Sequence, residues 1–215
     1  MFPIKIATTK NAIFVDIGST TTDVIPIADG EIKAKRMDLE RLKYGELIYS
    51  GVLRTGVSSL LKRVVIGGEE YRISSELFAT TADAYLMLGY TMGLNDRYNP
   101  PTLWCGGSVE GAMRRLARVV CSDLEEIDEG STISIAEQVK EAQVRELIDS
   151  MKRMKAKYGL KTVVSAVIGD FIVKEADESL NMEFLSLSSR YGKEISAVFP
   201  AYAVSKLLES NPSRT

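Results

Sequence analysis

Histidine is absent from this 215-residue chain, and cysteine occurs at only two positions, Cys105 and Cys121. The lack of histidine excludes His-based serine and cysteine triads, and every zinc site that needs an imidazole ligand. Two cysteines are too few for a disulfide framework, so we expect a reducing, cytoplasmic setting. Because histidine is absent, proton transfer must use carboxylates, lysine, tyrosine or solvent.

The chain also lacks a large net charge and a long apolar run. Lys and Arg number 27 against 29 Asp and Glu, a net charge of −2, which predicts no nucleic-acid partner. No apolar stretch approaches the roughly 18 residues of a membrane span, and the first ten residues have no signal-peptide core, so we expect neither export nor a membrane partner. With 45% hydrophobic residues, the chain can still bury a core.

Alternation of apolar and polar residues predicts an α/β fold that opens with a three-stranded β-meander, followed by helices and further strands. The meander comprises residues 12–16, 23–27 and 31–37, with Asp29-Gly30 as its second turn. The later elements are a hairpin at 64–73, helices at 78–92, 108–120, 134–158, 170–178 and 199–208, and strands at 161–168 and 183–187. A capping box at residues 134–137 predicts the start of the longest helix.

A loop of small residues between the first two strands is the most informative motif. Its residues Gly18, Ser19, Thr20, Thr21 and Thr22 offer backbone N–H groups and four hydroxyls to one anion. Asp16 and Asp23 bracket the loop, where carboxylates can hold a Mg²⁺ that bridges phosphate oxygens. The motif predicts a magnesium-assisted phosphate site, and the alternative is a hairpin whose Ser and Thr merely suit β-structure.

Four strings of residues, in order, carry a family resemblance: NAIFVDIGSTTTDVIPI, DLERLKYGELIYSGVLRTGV, ISSELFATTADAYLMLG and RRLARVVCSD. Together they resemble the hydantoinase/oxoprolinase-like family of the actin-like ATPase superfamily, in its archaeal branch linked to methanofuran synthesis. The resemblance covers residues 11–208. It implies an RNase H-like fold of the actin and acetate-kinase type.

The resemblance also implies a domain organisation. Residues 1–215 would form a single lobe that corresponds to the C-terminal part of a two-lobed family, with a helical and hairpin insertion at about 60–130 (a lobe of this size is usual). A missing N-terminal lobe or a second subunit would then complete the ligand cleft. A homodimer is a further partner that the resemblance allows.

The reaction implied by the family joins an aminomethylfuran-methyl diphosphate to the phenol of γ-glutamyltyramine, with release of pyrophosphate. Its catalytic residues would be Asp16, Asp23 and Asp83, with Mg²⁺ on the first two. The base for the phenol is open between Glu46, Asp83 and a Lys or Arg that stabilises phenolate. The alternatives are ATP-dependent hydantoinase-like or kinase-like chemistry, and a non-catalytic subunit.

Weaker signals suggest further substrate contacts. Arg54 suits a diphosphate or a glutamyl carboxylate, although a surface arginine is as good an interpretation. Thr80 and Thr81 lie at a helix start, where they can receive an anion or simply cap the helix. Gly169 is the remaining glycine of the family's late Gly-x-Gly turn. The arginines at 114, 115 and 118 are interpreted as a solvated face or a contact to the missing lobe, and Cys105 as incidental.

Overall fold

A computed structural model describes residues 9–90, 108–166 and 169–192 of the chain. It divides into two compact units, one formed by Met1–Tyr49 with Glu146–Thr215 and the other by Ser50–Arg145. The insertion expected at about 60–130 falls inside the second range. The correspondence to one lobe of a two-lobed family stays a prediction. The expected helix at 199–208, residues 91 and 92 of the expected helix at 78–92 and Cys105 lie outside the described residues.

The elements of the described ranges are as follows. The strands are β1 (Ala12–Ile17), β2 (Thr22–Ala28), β3 (Glu31–Ile32), β4 (Leu47–Ile48), β5 (Arg63–Ile66), β6 (Glu69–Arg72), β7 (Thr162–Ser165) and β8 (Glu183–Ser186). The helices are α1 (Asp38–Tyr44), α2 (Val57–Leu60), α3 (Thr81–Met87), α4 (Val109–Val119), α5 (Glu129–Tyr158), α6 (Asp170–Leu180) and α7 (Leu187–Tyr191).

The first unit contains a sheet in the order β3-β2-β1-β7-β8. β4 pairs with the start of β2, at Thr22 and Asp23, whereas β3 pairs with the end of β2. β1 is antiparallel to β2 and parallel to β7, and β7 is parallel to β8. An antiparallel meander followed by two parallel strands on the other side of β1 is the strand order of the RNase H-like fold, as predicted. Since β1 and β7 have neighbours on both sides, their residues are buried throughout, apart from the partly exposed Asp16.

One face of this sheet carries a hydrophobic cluster that includes Ala12, Phe14, Ile27, Val164 and Leu187. Side chains alternate along a strand, so the side chain of Asp16 is on the same face as those of Ala12 and Phe14. The apolar face therefore ends in a carboxylate at the carboxyl end of β1.

The hairpin turns follow the predicted chemistry. Asp29 and Gly30 have φ values of 56° and 77°, the left-handed pair that a two-residue type I′ turn requires. The third strand of the meander is shorter than predicted, since it pairs only over Glu31–Ile32 rather than 31–37. The prediction failed because alternation continues past residue 32, where the chain has left its partner strand.

The second unit packs its helices and the β5-β6 hairpin around another cluster, which includes Val57, Val64, Leu116, Ile135 and Val139. α3 ends at Met87, well before the predicted residue 92, and Gly89 follows with a φ of 75°. The capping box predicted at residues 134–137 is wrong as a start signal, because α5 begins at Glu129. Asp128 accepts hydrogen bonds from the N–H and the hydroxyl of Ser131 instead.

α5 ends at Tyr158, as predicted, and Gly159 follows in the left-handed conformation. Its residues up to Arg145 belong to the second unit and those from Glu146 to the first. Within the described ranges, no helix combines the length and the apolar character needed to cross a membrane.

Candidate functional site

The candidate site lies in the first unit, at the edge where the parallel strands β1, β7 and β8 have their carboxyl ends. Open α/β sheets bind ligands at this edge, because loops and helix N-termini converge there. The loop from β1 to β2 begins at this edge, and α6 follows β7 in the chain. The predicted residues Asp16, Asp23, Gly169 and the loop between β1 and β2 all lie here.

Asp16 and Asp23 are directly opposite each other in the β1-β2 ladder. Directly opposed residues of an antiparallel pair share one face, with Cβ atoms about 5 Å apart. Burial, and after it the negative charge of Asp23, raises the pKa of Asp16 from 3.8 to about 6. The structure therefore brings the two predicted carboxylates together, and it leaves Asp16 in a position where a cation would be stabilising.

The two carboxylates differ because Arg41 of α1 reaches only one of them. Its guanidinium forms an ion pair with Asp23. It also donates to the backbone carbonyl of Glu46 at 3.1 Å, and the N–H of Glu46 donates to the carbonyl of Arg41 at 2.8 Å. No local sequence signal indicates this contribution of Arg41, since it lies 18 residues from Asp23 and only the fold joins them.

The loop between the two carboxylates is a tight turn. The N–H of Gly18 donates to the carbonyl of Thr21 at 2.9 Å, so this predicted anion donor is already engaged within the loop. Thr22 is buried in β2, whereas Ser19, Thr20 and Thr21 are partly exposed. The hydroxyls of Ser19 and Thr20 lie 3.4 Å apart. These three hydroxyls at the tip are the donors best placed for an anion.

Gly169 and Asp170 complete the edge at the start of α6. A Cβ on Gly169 would lie 2.4 Å from the Cβ of Ile17, so this glycine is required for close packing against β1. The Oδ2 of Asp170 accepts a hydrogen bond from Ser186 at the end of β8. Its Oδ1 is buried and has no hydrogen-bond partner among the described residues. Asp170 was not among the predicted site residues, although its place after a buried strand was a usable signal.

The remaining predicted site residues lie in the second unit. Asp83 is 2% exposed. Its Oδ1 accepts from Nε and Nη2 of Arg115 at 2.9 and 2.7 Å, and its Oδ2 accepts from the N–H of Thr80 at 2.9 Å. Both carboxylate oxygens are thus engaged with the protein. This geometry favours a structural contribution of Asp83 over the predicted catalytic one.

The neighbours of Asp83 show the same pattern. Thr80 and Thr81 are fully buried, and the hydroxyl of Thr81 donates to the carbonyl of Gly51 at 2.8 Å. Gly51 also accepts from the amide of Gln143 at 3.1 Å. These threonines act as a helix cap and as links to a buried loop. Arg54 follows in that loop with an exposed side chain.

Arg115 corrects the prediction of a solvated arginine face on α4. Its side chain is 1% exposed, whereas Arg114 and Arg118 are exposed. The periodicity of α4 contained the signal, since Ala112, Leu116 and Val119 form a buried stripe and Arg115 lies on it at helical spacing. A buried guanidinium needs a counter-charge, and Asp83 supplies it.

Glu46, a candidate base in the sequence analysis, is 1% exposed. Its Oε2 accepts a hydrogen bond from the N–H of Lys35 at 2.5 Å. The carboxylate is therefore fixed in the protein, and its position follows from β4, which pairs with β2 at Thr22 and Asp23.

The residues at the sheet edge fit a Mg²⁺ ion. No group of three or more metal-ligating side chains occurs among the described residues. Mg²⁺ does not need one, because it keeps several waters and is commonly bound by one or two carboxylates together with substrate phosphates. Asp16 has the properties of such a ligand. Burial and the charge of Asp23 raise its pKa, and a bound cation would stabilise its ionised form. Asp23 would share its carboxylate with Arg41.

These observations define an RNase H-like α/β protein with an acidic pair and a hydroxyl-rich loop at one sheet edge. The profile of the hydantoinase/oxoprolinase family matches residues 2–211, and the chain belongs to this family.

Two curated relatives share the printed name (4-{4-[2-(gamma-L-glutamylamino)ethyl]phenoxymethyl}furan-2-yl)methanamine synthase. The protein from Methanococcus vannielii is 36% identical over 94% of this chain and 92% of its own length. The protein from Methanocaldococcus jannaschii is 36% identical over 93% of this chain and 59% of its own length. The chain thus spans nearly all of one relative and little more than half of the other.

Among solved structures, a ROK family glucokinase from Streptomyces griseus, crystallised with glucose and AMPPNP, matches 83% of this chain and 56% of its own, at 11% identity and a TM-score of 0.34. This likeness is too slight to bear on function.

Proposed function

We propose that this chain is a transferase that joins an aminomethylfuran-methyl diphosphate to the phenol of γ-glutamyltyramine, with release of pyrophosphate. The observation that carries the proposal is the pair Asp16 and Asp23 beside a hydroxyl-rich loop. It occurs in a chain that is 36% identical to two synthases named for a phenoxymethylfuran, the ether that this reaction forms.

The reaction places its main demand on the leaving group. The bond between the furanylmethyl carbon and the diphosphate oxygen breaks, and its electron pair stays on the diphosphate. The phenol oxygen forms the new bond to that carbon, and the phenolic proton leaves to a base. The hydroxyls of Ser19, Thr20 and Thr21 would donate to the diphosphate oxygens as their charge develops. Bound Mg²⁺ would neutralise part of that charge.

Asp16 and Asp23 have different tasks in this proposal. Asp16 would hold the metal, since its carboxylate is partly desolvated and its pKa is shifted by burial and by Asp23 rather than by a cation. Asp23 is held by Arg41, which fixes its position beside Asp16. Arg41 is therefore a positioning residue rather than a catalytic one.

The test is a two-substrate assay with the purified chain and Mg²⁺, which follows ether formation by mass spectrometry and pyrophosphate release in parallel. We expect the wild type to turn over, and the rate of Asp16→Asn to fall by at least about tenfold. Removing one group that stabilises charge in the transition state commonly lowers kcat by that factor or more. Asp149→Asn is the matched control, because Asp149 is an exposed carboxylate on α5.

Three outcomes would contradict the proposal. ATP turnover without ether formation would favour the ATP-dependent, kinase-like or hydantoinase-like alternative. The absence of any turnover by correctly folded protein would favour a subunit that needs another polypeptide. Equal activity of Asp16→Asn and wild type would remove the acidic pair from the mechanism.

A further inference from the structure

The first unit contains a second polar feature, a cavity of about 130 Å³ between the end of α1 and the last two turns of α5. It is lined by Lys43, Tyr44, Glu46, Arg153, Met154 and Lys157. None of these residues belongs to the loop or the acidic pair of the candidate site. We call it the basic cavity.

Cations surround one aromatic ring in the basic cavity. The ammonium groups of Lys35, Lys43 and Lys157 lie 5.2, 5.6 and 5.7 Å from the centroid of the Tyr44 ring. Arg153 adds a fourth positive charge. None of the four forms an ion pair with a carboxylate in the part of the chain that the structure describes. Like charges held this close repel one another unless an anion lies between them.

Glu46 is the only carboxylate among the lining residues, and the protein engages it. Its side chain is buried, and its Oε2 is held by the N–H of Lys35. Three of the four cations, Lys43, Arg153 and Lys157, line the cavity, and against Glu46 they leave a local excess of two positive charges. The excess is a property of this cavity rather than of the chain, whose net charge is −2.

The backbone that carries the cavity is fixed by close packing. Gly45 has a φ of 72°, and a Cβ at this position would lie 2.9 Å from the hydroxyl of Ser150 on α5. The end of α1 therefore lies directly against α5, which places Lys43 opposite Arg153 and Lys157. The cationic side chains come from parts of the sequence more than 100 residues apart, yet their backbones are held together.

We propose that the basic cavity binds a phosphate group, either as inorganic phosphate or diphosphate or as the end of a larger phosphorylated molecule. An excess of two positive charges matches a multivalent oxyanion better than a single carboxylate. The guanidinium of Arg153 can bind two phosphate oxygens at once, and the lysines act as point charges. The cavity volume of about 130 Å³ leaves room for one phosphate group.

The test is a calorimetric titration at low ionic strength in EDTA, so that no metal-dependent binding at the sheet edge contributes. The probes are inorganic phosphate, inorganic diphosphate and glycerol phosphate, the last of which reports on phosphorylated molecules. We expect at least one probe to bind wild type and Asp16→Asn equally. Lys43→Gln combined with Lys157→Gln should weaken that binding at least tenfold, and so should Arg153→Gln alone. Lys152→Gln, an exposed lysine on the same helix, should change it less than twofold.

Three results would overturn the proposal. The first is that none of the probes binds wild type. The second is that the double lysine variant and Arg153→Gln, shown to be folded by circular dichroism, bind as wild type does. The third is that Asp16→Asn abolishes binding, which would place the anion at the sheet edge. Loss of transferase activity in Asp16→Asn has no bearing on these titrations, so the two proposals fail separately.

Discussion

Asp16→Asn is expected to stabilise the protein at neutral pH, although it removes the proposed metal ligand. The pKa of Asp16 is raised from 3.8 to about 6, so the fold favours the protonated carboxyl. Below about pH 4 the group is protonated in both the folded and unfolded states, and it costs nothing. As the pH rises, the unfolded chain loses this proton first, and the wild type loses stability until the folded pKa is passed.

The magnitude follows from the shift. A difference of about two pKa units corresponds to about 3 kcal/mol, at 1.36 kcal/mol per unit. About 2 kcal/mol of this falls between about pH 4.5 and 7.5 by the same linkage. Asparagine does not ionise, so the stability of Asp16→Asn relative to wild type should increase by that amount over the interval.

The assay is urea unfolding followed by circular dichroism at several pH values, without divalent metal. Other titrating groups occur in both proteins, so they cancel in the difference of the two free energies of unfolding. Asp149→Asn should stay within about 0.5 kcal/mol of wild type, as exposed substitutions usually do. A difference between Asp16→Asn and wild type that is flat over this pH range, or falls with pH, would refute the reasoning.

Three more outcomes are expected. Mg²⁺ should raise the Tm of wild type near pH 7 and not that of Asp16→Asn, because a ligand that binds only the folded state stabilises it. Equal shifts of the two Tm values would place the metal elsewhere. Asp83→Asn should lower the free energy of unfolding by about 3–5 kcal/mol, because it leaves Arg115 buried without a counter-charge, and wild-type stability in urea would contradict this. Gly169→Ala should lower the free energy of unfolding by about 1–3 kcal/mol, because its Cβ would overpack against Ile17. Gly130→Ala, whose Cβ would meet only Asp128 at 3.6 Å, should leave the free energy of unfolding unchanged in the same assay.

Local sequence signals predicted the part of the fold that depends on local chemistry. A buried run, a small-residue loop and a second alternating run predicted the β1-β2 hairpin, and with it the opposition of Asp16 and Asp23. The positive φ of Asp29 and Gly30 follows from residue type alone. The predicted start of α5 was wrong, because two capping signals, Asp128 and Ser134, occur six residues apart and the helix uses Asp128.

The assignment of site residues shows where local signals are insufficient. Thr80 and Asp83 have the residue types of an anion site at a helix start, and the same types make a capping box. Arg115 decides between the two, since it lies 32 residues further along the chain and donates a buried hydrogen bond to the Asp83 carboxylate. No short window contains both partners.

The sequence by itself determined the acidic hairpin, the family and most of the strands and helices, because periodicity, turn chemistry and motifs depend on neighbouring residues. It did not predict α1, β4 or α2. Only the tertiary structure decided which carboxylate of the acidic pair Arg41 binds, why Gly169 must be glycine, and that three lysines meet at Tyr44. Each of these depends on a contact between distant segments. Such contacts follow from how strands cross and helices pack, and their burial then sets the charge and accessibility of each side chain.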